Sequence, residues 1–448
     1  MKKIISLLSV ILVITASLAA CQTEETTASP DTTAQIASAA ATEAPASTTA
    51  ATQAQAATTA ASQTGTTLTQ SAEVITTANV TSNGAIDASD LFSNRDLRQT
   101  ADLSEAVYYD LSSGSDITIT AEGVYVISGS AENASVIVDA GDNDKVQLVL
   151  NGVTITNGST PAIYVKNADK VFVTTVENTV SSLTVSGTFT ADGTTNTDAV
   201  IFAKDDIVLN GLGTLNISST DNGISGKDDI KITGGTINIT CTADAIEANE
   251  SIAVADGNIT INTDKDGLHA ENDEDNTTGT IYICGGTFNI TAGSDGIQGT
   301  TVVQIDGGSI TTNSSEGIEA TYVQINGGTV DITASDDGIN GSRKSNAYNV
   351  TVEINGGDIT VNMGQGDTDG IDSNGNLYIN GGTVSVNANS PFDYDGEGQL
   401  NGGTVYVNGS KVTELTNQMM GGGMGGPGGM NGGMGGMNGG MMGGHGGF

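Results

Sequence analysis

The stretch Asp295-Gly-Ile-Gln-Gly-Thr-Thr-Val-Val-Gln-Ile-Asp-Gly-Gly-Ser-Ile-Thr-Thr-Asn-Ser-Ser-Glu316-Gly-Ile318 holds one full period of this chain. It opens on an acidic residue followed by Gly and Ile. It then passes through two short β-branched runs, Val302-Val-Gln-Ile305 and Ser309-Ile-Thr-Thr312, separated by Asp306-Gly-Gly308, and returns to the acidic opening at Glu316. Outward from it the opening recurs as Asp244-Ala-Ile, Asp266-Gly-Leu, Asp337-Gly-Ile and Asp369-Gly-Ile, at intervals of 21 to 32 residues. The Gly-Gly pair keeps step at Gly234, Gly285, Gly327, Gly356, Gly381 and Gly402. A unit this short cannot bury a core alone and must stack on its neighbours, which is the signature of a solenoid. Three apolar runs per period, each bounded by Gly, Asn or Asp, predict three strands and three turns. Strands so short pair with their equivalents one turn away, in parallel. The expected fold is therefore all-β, a parallel β-helix, right-handed by the general preference for such connections.

Weaker copies of the pattern extend upstream through Val124-Tyr-Val-Ile127, Val146-Gln-Leu-Val-Leu150, Ala162-Ile-Tyr-Val165 and Asp198-Ala-Val-Ile-Phe202, so the folded domain is expected over 88–415. Asp87 to Ala106 is read as a cap for an open end, which a solenoid needs. The flanks read differently. Residues 1–20 form a secretory signal, with Lys2 and Lys3 ahead of an apolar run that ends in Leu18-Ala-Ala-Cys21. That ending resembles a bacterial lipobox, which implies a lipid on Cys21 and a membrane anchor at the cell surface. Residues 21–87 are dominated by Ala, Thr, Ser and Gln, too poor in large apolar groups to offset the entropy of ordering, and are expected to be a stalk. The 416–448 tail is Gly-rich and holds eight of the ten Met, which raises a copper(I) site with thioether ligands against the simpler expectation of a disordered tail.

Fifty-two Asp plus Glu against 14 Lys plus Arg give a formal charge of −38, which excludes an ordinary nucleic-acid binder and favours cations. Cys241 and Cys284 fall at different places in their repeats, so buried thiols are expected rather than a disulfide.

Stacking puts the carboxylates in line. Two such charges about 4.8 Å apart repel by about 3 kcal/mol even at an effective dielectric near 20. Protonation relieves this, and so does a hard divalent ion such as calcium, which takes six to eight oxygens. The candidate ligands are Asp198, Asp221, Asp244, Asp266, Asp295, Glu316, Asp337 and Asp369, with Glu247, Glu319 and Asp372 three residues beyond ladder positions. The alternative is that each Asp-Gly merely makes a turn and faces water. The Asn before Gly-Gly, at Asn326, Asn355, Asn380 and Asn401, is expected to form a structural hydrogen-bonded ladder.

The segments Ser93-Asn-Arg-Asp-Leu97, Val146-Gln-Leu-Val-Leu-Asn-Gly-Val153, Pro161-Ala-Ile-Tyr-Val-Lys-Asn-Ala-Asp-Lys-Val-Phe172 and Lys227-Asp-Asp-Ile-Lys-Ile-Thr-Gly-Gly235 resemble a family of bacterial surface carbohydrate-binding proteins, with similarity over roughly 93–408. The resemblance implies a pectate-lyase-like right-handed β-helix with calcium on Asp residues, and a founding member that binds cellulose-like and acidic pectic polysaccharide. Asp221-Asn222 and Glu316 depart from the plain acidic pattern.

Insertions at 271–279, 342–348 and 363–367 border the carboxylate ladder and are expected to wall a binding surface. Tyr348, Phe392 and Tyr394 lie near such excursions and are candidates for stacking on sugar rings. A lyase would need a base beside the metal. Lys265, Arg343 and Lys344 are the cations available, each expected to be isolated, and His269 is expected to stand alone. The expected function is thus a non-catalytic, monomeric, lipid-anchored module that binds polysaccharide through calcium. A calcium-dependent lyase and a structural adhesin or spacer are the alternatives.

Overall fold

Each turn of the chain lays down three short strands, and the 295–318 repeat shows how. Its strands are Asp295–Gly299, Val302–Ile305 and Ser309–Ser314, after which Glu316–Ala320 begins the next turn. Each strand pairs in parallel with its equivalent, so that Asp295 lies opposite Glu316, Val302 opposite Tyr322 and Ser309 opposite Thr329. The computed structural model describes residues 85–364 and 368–417. The signal at 1–20, Cys21, the linker as far as residue 84, residues 365–367 of the third insertion and the tail from 418 lie outside the described residues.

Twelve strands, from Ile117–Ile119 to Ser390–Tyr394, stack into the sheet that carries the acidic openings. The other two strand positions form a second face and a third face, joined into one sheet by the long strand Lys145–Asn157, which pairs with strands of both. Among the described residues there is no α-helix. The parallel β-helix expected from the repeat is what the chain forms.

Stacking about 4.8 Å apart sets like over like. Ile297, Ile318, Ile339 and Ile371 make one inward row, every member fully buried, within a continuous aliphatic core that runs from Leu111 to Leu415. Burial of each such side chain contributes about 1.5–3 kcal/mol. The glycines answer two different demands. Gly308, second of its pair, has φ +95°, which glycine adopts without strain. Gly317, in the acidic opening, has no room for a side chain: a Cβ there would lie 2.3 Å from the Gly338 carbonyl oxygen and 2.4 Å from Ile332 Cγ2.

The asparagine ladder forms as expected. Asn355 donates to Asn326, Asn380 to Asn355 and Asn401 to Asn380, each at 2.8 Å. Cys241 and Cys284 are buried and not joined in a disulfide.

One expectation fails. Residues 85–106 do not cover an end of the solenoid but run along its flank, crossing many turns. The Ala85 amide donates to Gln324 Oε1, Ile86 to Gln304 Oε1, Lys231 Nζ reaches the Leu91 carbonyl, and Gln99 bonds Gly211 and Thr233. Phe92 packs on Tyr282, and Arg95 lies over the Phe172 ring. The physical reason is that outward positions here carry apolar side chains, Phe172, Tyr282 and Cys284, which need cover. At the C-terminal end the cap is instead Ser410–Val412, which folds back antiparallel on Thr404–Val407, with Leu415 packed against the core.

If Gly317 is required by packing, Gly317→Ala should lower stability by about 1–3 kcal/mol, since added volume forces the next turn outward. Urea unfolding measures this, and a midpoint equal to the wild type would refute the steric account.

Candidate functional site

The acidic face carries two parallel rows of side chains. The first is Asn222, Asp244, Asp266, Asp295, Glu316, Asp337 and Asp369, which stand at the start of successive strands of this sheet or two residues ahead of it. The second, three residues on, is Ser225, Glu247, His269, Gln298, Glu319, Asn340, Asp372 and Asp393, aligned by strand register. Asp198 and Asp221 do not join the first row. The register there belongs to Ala199 and Asn222, so each of these two acids precedes it by one residue.

The first row is neither bare nor facing water. Asp244, Asp266 and Asp295 are only 6, 7 and 5% exposed. The Asp244 amide donates to Asn222 Oδ1 at 2.8 Å, the Asp266 amide to Asp244 Oδ1 at 3.0 Å, the Asp295 amide to Asp266 Oδ1 at 2.8 Å and the Asp369 amide to Asp337 Oδ1 at 3.2 Å. One oxygen of each of Asp244, Asp266 and Asp337 therefore satisfies the backbone of the next turn, a role that suits the short reach of Asp and Asn. The second oxygen is left for other chemistry.

The charge is met differently at each level. Glu247 accepts from Asn222 Nδ2 at 2.8 Å and from Ser225 Oγ at 2.9 Å. His269, expected to stand alone, sits amid acids: Nδ1 is 3.2 Å from Asp244 and 3.5 Å from Asp266, and Nε2 is 3.0 Å from Glu271 in the first insertion. Burial pulls the imidazole down, but Asp244, Asp266 and Glu271 outweigh it and hold the pKa at about 9. Burial likewise pushes Asp244 up, but the hydrogen bonds from His269 and the Asp266 amide, with the charges of His269 and Lys265, together outweigh it and leave that carboxyl below its ordinary value. At this level a protonated histidine serves as the cation. Position alone gave the signal, since His269 stands three residues after Asp266 as Glu247 stands after Asp244.

The next level has no such partner in the row. Asp295, Glu316 and Glu319 bring carboxylate oxygens within 4.8 Å of one another. Burial first, then the neighbouring Asp266, Glu316 and Glu319, push Asp295 up to about 8. Burial and Glu319 push Glu316 up to about 7. Beyond it, Asp337 rises to about 6 and Asp372 to about 7, each through burial and then neighbouring acids. Asn340 gives its Nδ2 to Glu316 at 3.0 Å, while its buried Oδ1 receives no donor among the described residues. Three hard carboxylates and an orphaned amide oxygen make a donor set that fits calcium.

The second insertion closes this level. Lys344 is not isolated: it is half-buried, with Nζ 2.7 Å from Glu319 Oε2, and Ser342 Oγ donates to Glu319 Oε1 at 2.6 Å. Burial pulls the ammonium down, but Glu319, then Asp295 and Glu271, raise it above the ordinary lysine value.

The aromatic candidates separate. Phe392 lies inside the helix, 1% exposed and in register with Ile371, because it fills the core row rather than an excursion. Tyr394 is half-buried against the core and donates to the Leu415 carbonyl at 3.2 Å, as part of the C-terminal cap. Tyr348 stays at the surface, its ring 5.7 Å from that of Tyr322.

The sequence profile of a family described as carbohydrate-binding domain-containing protein matches residues 113–368 and 312–413, together more than half of the 448 residues. The chain belongs to this family. A curated relative from Acetivibrio thermocellus with the same description is 34% identical over 123 residues, 27% of this chain and 43% of its own length. The chain thus matches less than half of that relative. A solved structure described as a polysaccharide lyase-like protein from C. thermocellum, in a gadolinium derivative, shares 30% identity, covers 48% of this chain and 92% of its own, and superposes with a TM-score of 0.45.

The raised acids of this carbohydrate-binding domain make its stability depend on pH with a definite sign. A carboxyl whose folded pKa exceeds its unfolded value holds its proton longer when folded, so stability is lost as pH rises between the two. For Asp295 and Glu316 that window runs from the ordinary values of 3.8 and 4.5 to about 8 and 7. His269 adds to the fall, because its stabilisation is complete below 6.5 and lost through about 9. Melting in chelator should therefore drop from pH 5 to pH 8, and Asp295→Asn should flatten the slope. A profile that rises with pH would contradict the assignment.

Proposed function

We propose that this domain binds an acidic polysaccharide through calcium held at Asp295, Glu316 and Glu319, without cleaving it. The observation that carries the reading is the buried carboxylate trio: it concentrates negative charge beyond what its neighbours neutralise, so it favours a divalent ion. A bound calcium bridges such a site to a uronate, because it retains coordination positions for oxygens of the glycan. Membership of a carbohydrate-binding family supports the glycan as ligand. Anchoring through a lipid on Cys21, at the extracellular face of the membrane, belongs to the same proposal.

The lyase alternative has one observation in its favour, the proximity of Lys344 to the trio. Its protonation argues against it. A general base works when its pKa lies near the working pH, whereas this ammonium is held above the ordinary lysine value by the carboxylates around it.

The test incubates the protein with polygalacturonate in calcium and in chelator, scoring retention on polymer and release of unsaturated uronide. Calcium-dependent retention with no product is expected. The double variant Asp295→Asn/Glu319→Gln should lose retention by about tenfold or more, as for removal of interactions at the centre of an interface. Appearance of product would reverse the choice between binder and lyase. Retention that ignores both calcium and the double variant would remove the bridging role.

A further inference from the structure

His269 is placed where an imidazole needs a cation between itself and its neighbours. Its Nδ1 faces two carboxylate oxygens, Asp244 Oδ2 at 3.2 Å and Asp266 Oδ2 at 3.5 Å, while its Nε2 lies 3.0 Å from Glu271 Oε2 and 3.3 Å from the Gln298 carboxamide. His269 is half-buried and both aspartates are buried, so water screens these contacts poorly. A nitrogen lone pair aimed at two carboxylate oxygens is repelled by both, and something positive has to stand between them. One occupant of that place is the proton on Nδ1. A metal ion is the other.

The distances fit a small ion. Two ligand atoms of a tetrahedral zinc, bonded at about 2.0–2.1 Å, stand about 3.3 Å apart, which falls between the two separations found at Nδ1. The three donor atoms all lie within 4.8 Å of one another. Each aspartate also accepts a backbone amide of the next turn through Oδ1, from Asp266 and Asp295 in order, and this steadies the carboxylate with Oδ2 toward the ring. Glu271, contributed by the first insertion, supplies the outer partner: a metal-bound histidine ordinarily donates its other N–H to a carboxylate or carbonyl, which fixes the tautomer that ligates. A donor set of one imidazole nitrogen and two oxygens suits a transition ion, whereas calcium takes six to eight oxygens.

We propose that Asp244, Asp266 and His269 form a second metal site, for zinc or a similar divalent transition ion, distinct from the carboxylate trio. The ion displaces the Nδ1 proton to solvent, bonds to Nδ1 and to Oδ2 of each aspartate, and leaves the Nε2 proton on the ring, donated to Glu271. Three carboxyl groups against one imidazolium leave this level short of positive charge, and the exchange adds one unit. Three protein ligands leave one tetrahedral position for water or for an oxygen from outside, as in zinc sites that bind ligands. The site shares no ligand with Asp295, Glu316 and Glu319, so it stands or falls apart from the calcium reading.

The experiment titrates zinc chloride into the protein, with and without excess calcium, and follows it by calorimetry and by the imidazole NMR signals. The chain has two histidines, so the ring signals of His269 are those lost in His269→Gln. Zinc is expected to bind and shift those signals whether or not calcium is present. His269→Gln should remove this binding, Asp244→Asn should weaken it, and Glu271→Gln should weaken it by about tenfold, the usual cost of losing an outer partner. The first two substitutions copy residues that the rows already hold, Gln298 in register with His269 and Asn222 one turn before Asp244, and thermal melts check that the variants stay folded. Zinc that shifts only His445, that is displaced by excess calcium, or that binds His269→Gln and Asp244→Asn as it binds the wild type would overturn the site, and so would a protein that takes up no zinc.

Discussion

Everything in this molecule depends on parallel strands stacking at one fixed spacing, about 4.8 Å, with each residue over its equivalent. That constraint multiplies whatever the repeat contains. An isoleucine becomes a buried row, an asparagine becomes a chain of amide hydrogen bonds, and a carboxylate becomes a line of like charges. The first two outcomes stabilise the fold. The third opposes it and has to be answered locally.

The answers differ from turn to turn. Backbone amides take one oxygen of Asp244, Asp266 and Asp337, so part of the acidic ladder is structural in its own right. His269 supplies a resident positive charge beside Asp244 and Asp266. At Asp295, Glu316 and Glu319 the row has no such group, and the insertion brings Lys344 to Glu319 alone. That contrast, between a level closed by histidine and one left rich in carboxylate, is what the calcium proposal rests on.

The second insertion reaches two faces of the solenoid. Residues 342–350 start beside the ladder, where Ser342 and Lys344 hold Glu319, and end where Tyr348 meets Tyr322 on the second face. A short loop thus dresses both faces. Such excursions are where a solenoid gains specificity, because its regular turns are committed to stacking.

The period of Asp-Gly-Ile against Gly-Gly was enough for the parallel β-helix, the core rows and the Asn ladder, because these follow from local strand chemistry repeated at fixed intervals. It was enough as well to put Asp244, Asp266, Asp295, Glu316, Asp337 and Asp369 in one line. Only the tertiary structure decided what surrounds each member. Register between neighbouring turns placed Ala199 and Asn222, rather than Asp198 and Asp221, in the row. It turned Phe392 into the core and set His269 among carboxylates. The second insertion brought Lys344 to Glu319 and Tyr348 to Tyr322, and a segment more than a hundred residues away in sequence covered the flank beside Gln324. The physical reason is that a repeat specifies contacts with its own copies, whereas charge neutralisation and surface cover come from residues outside the period.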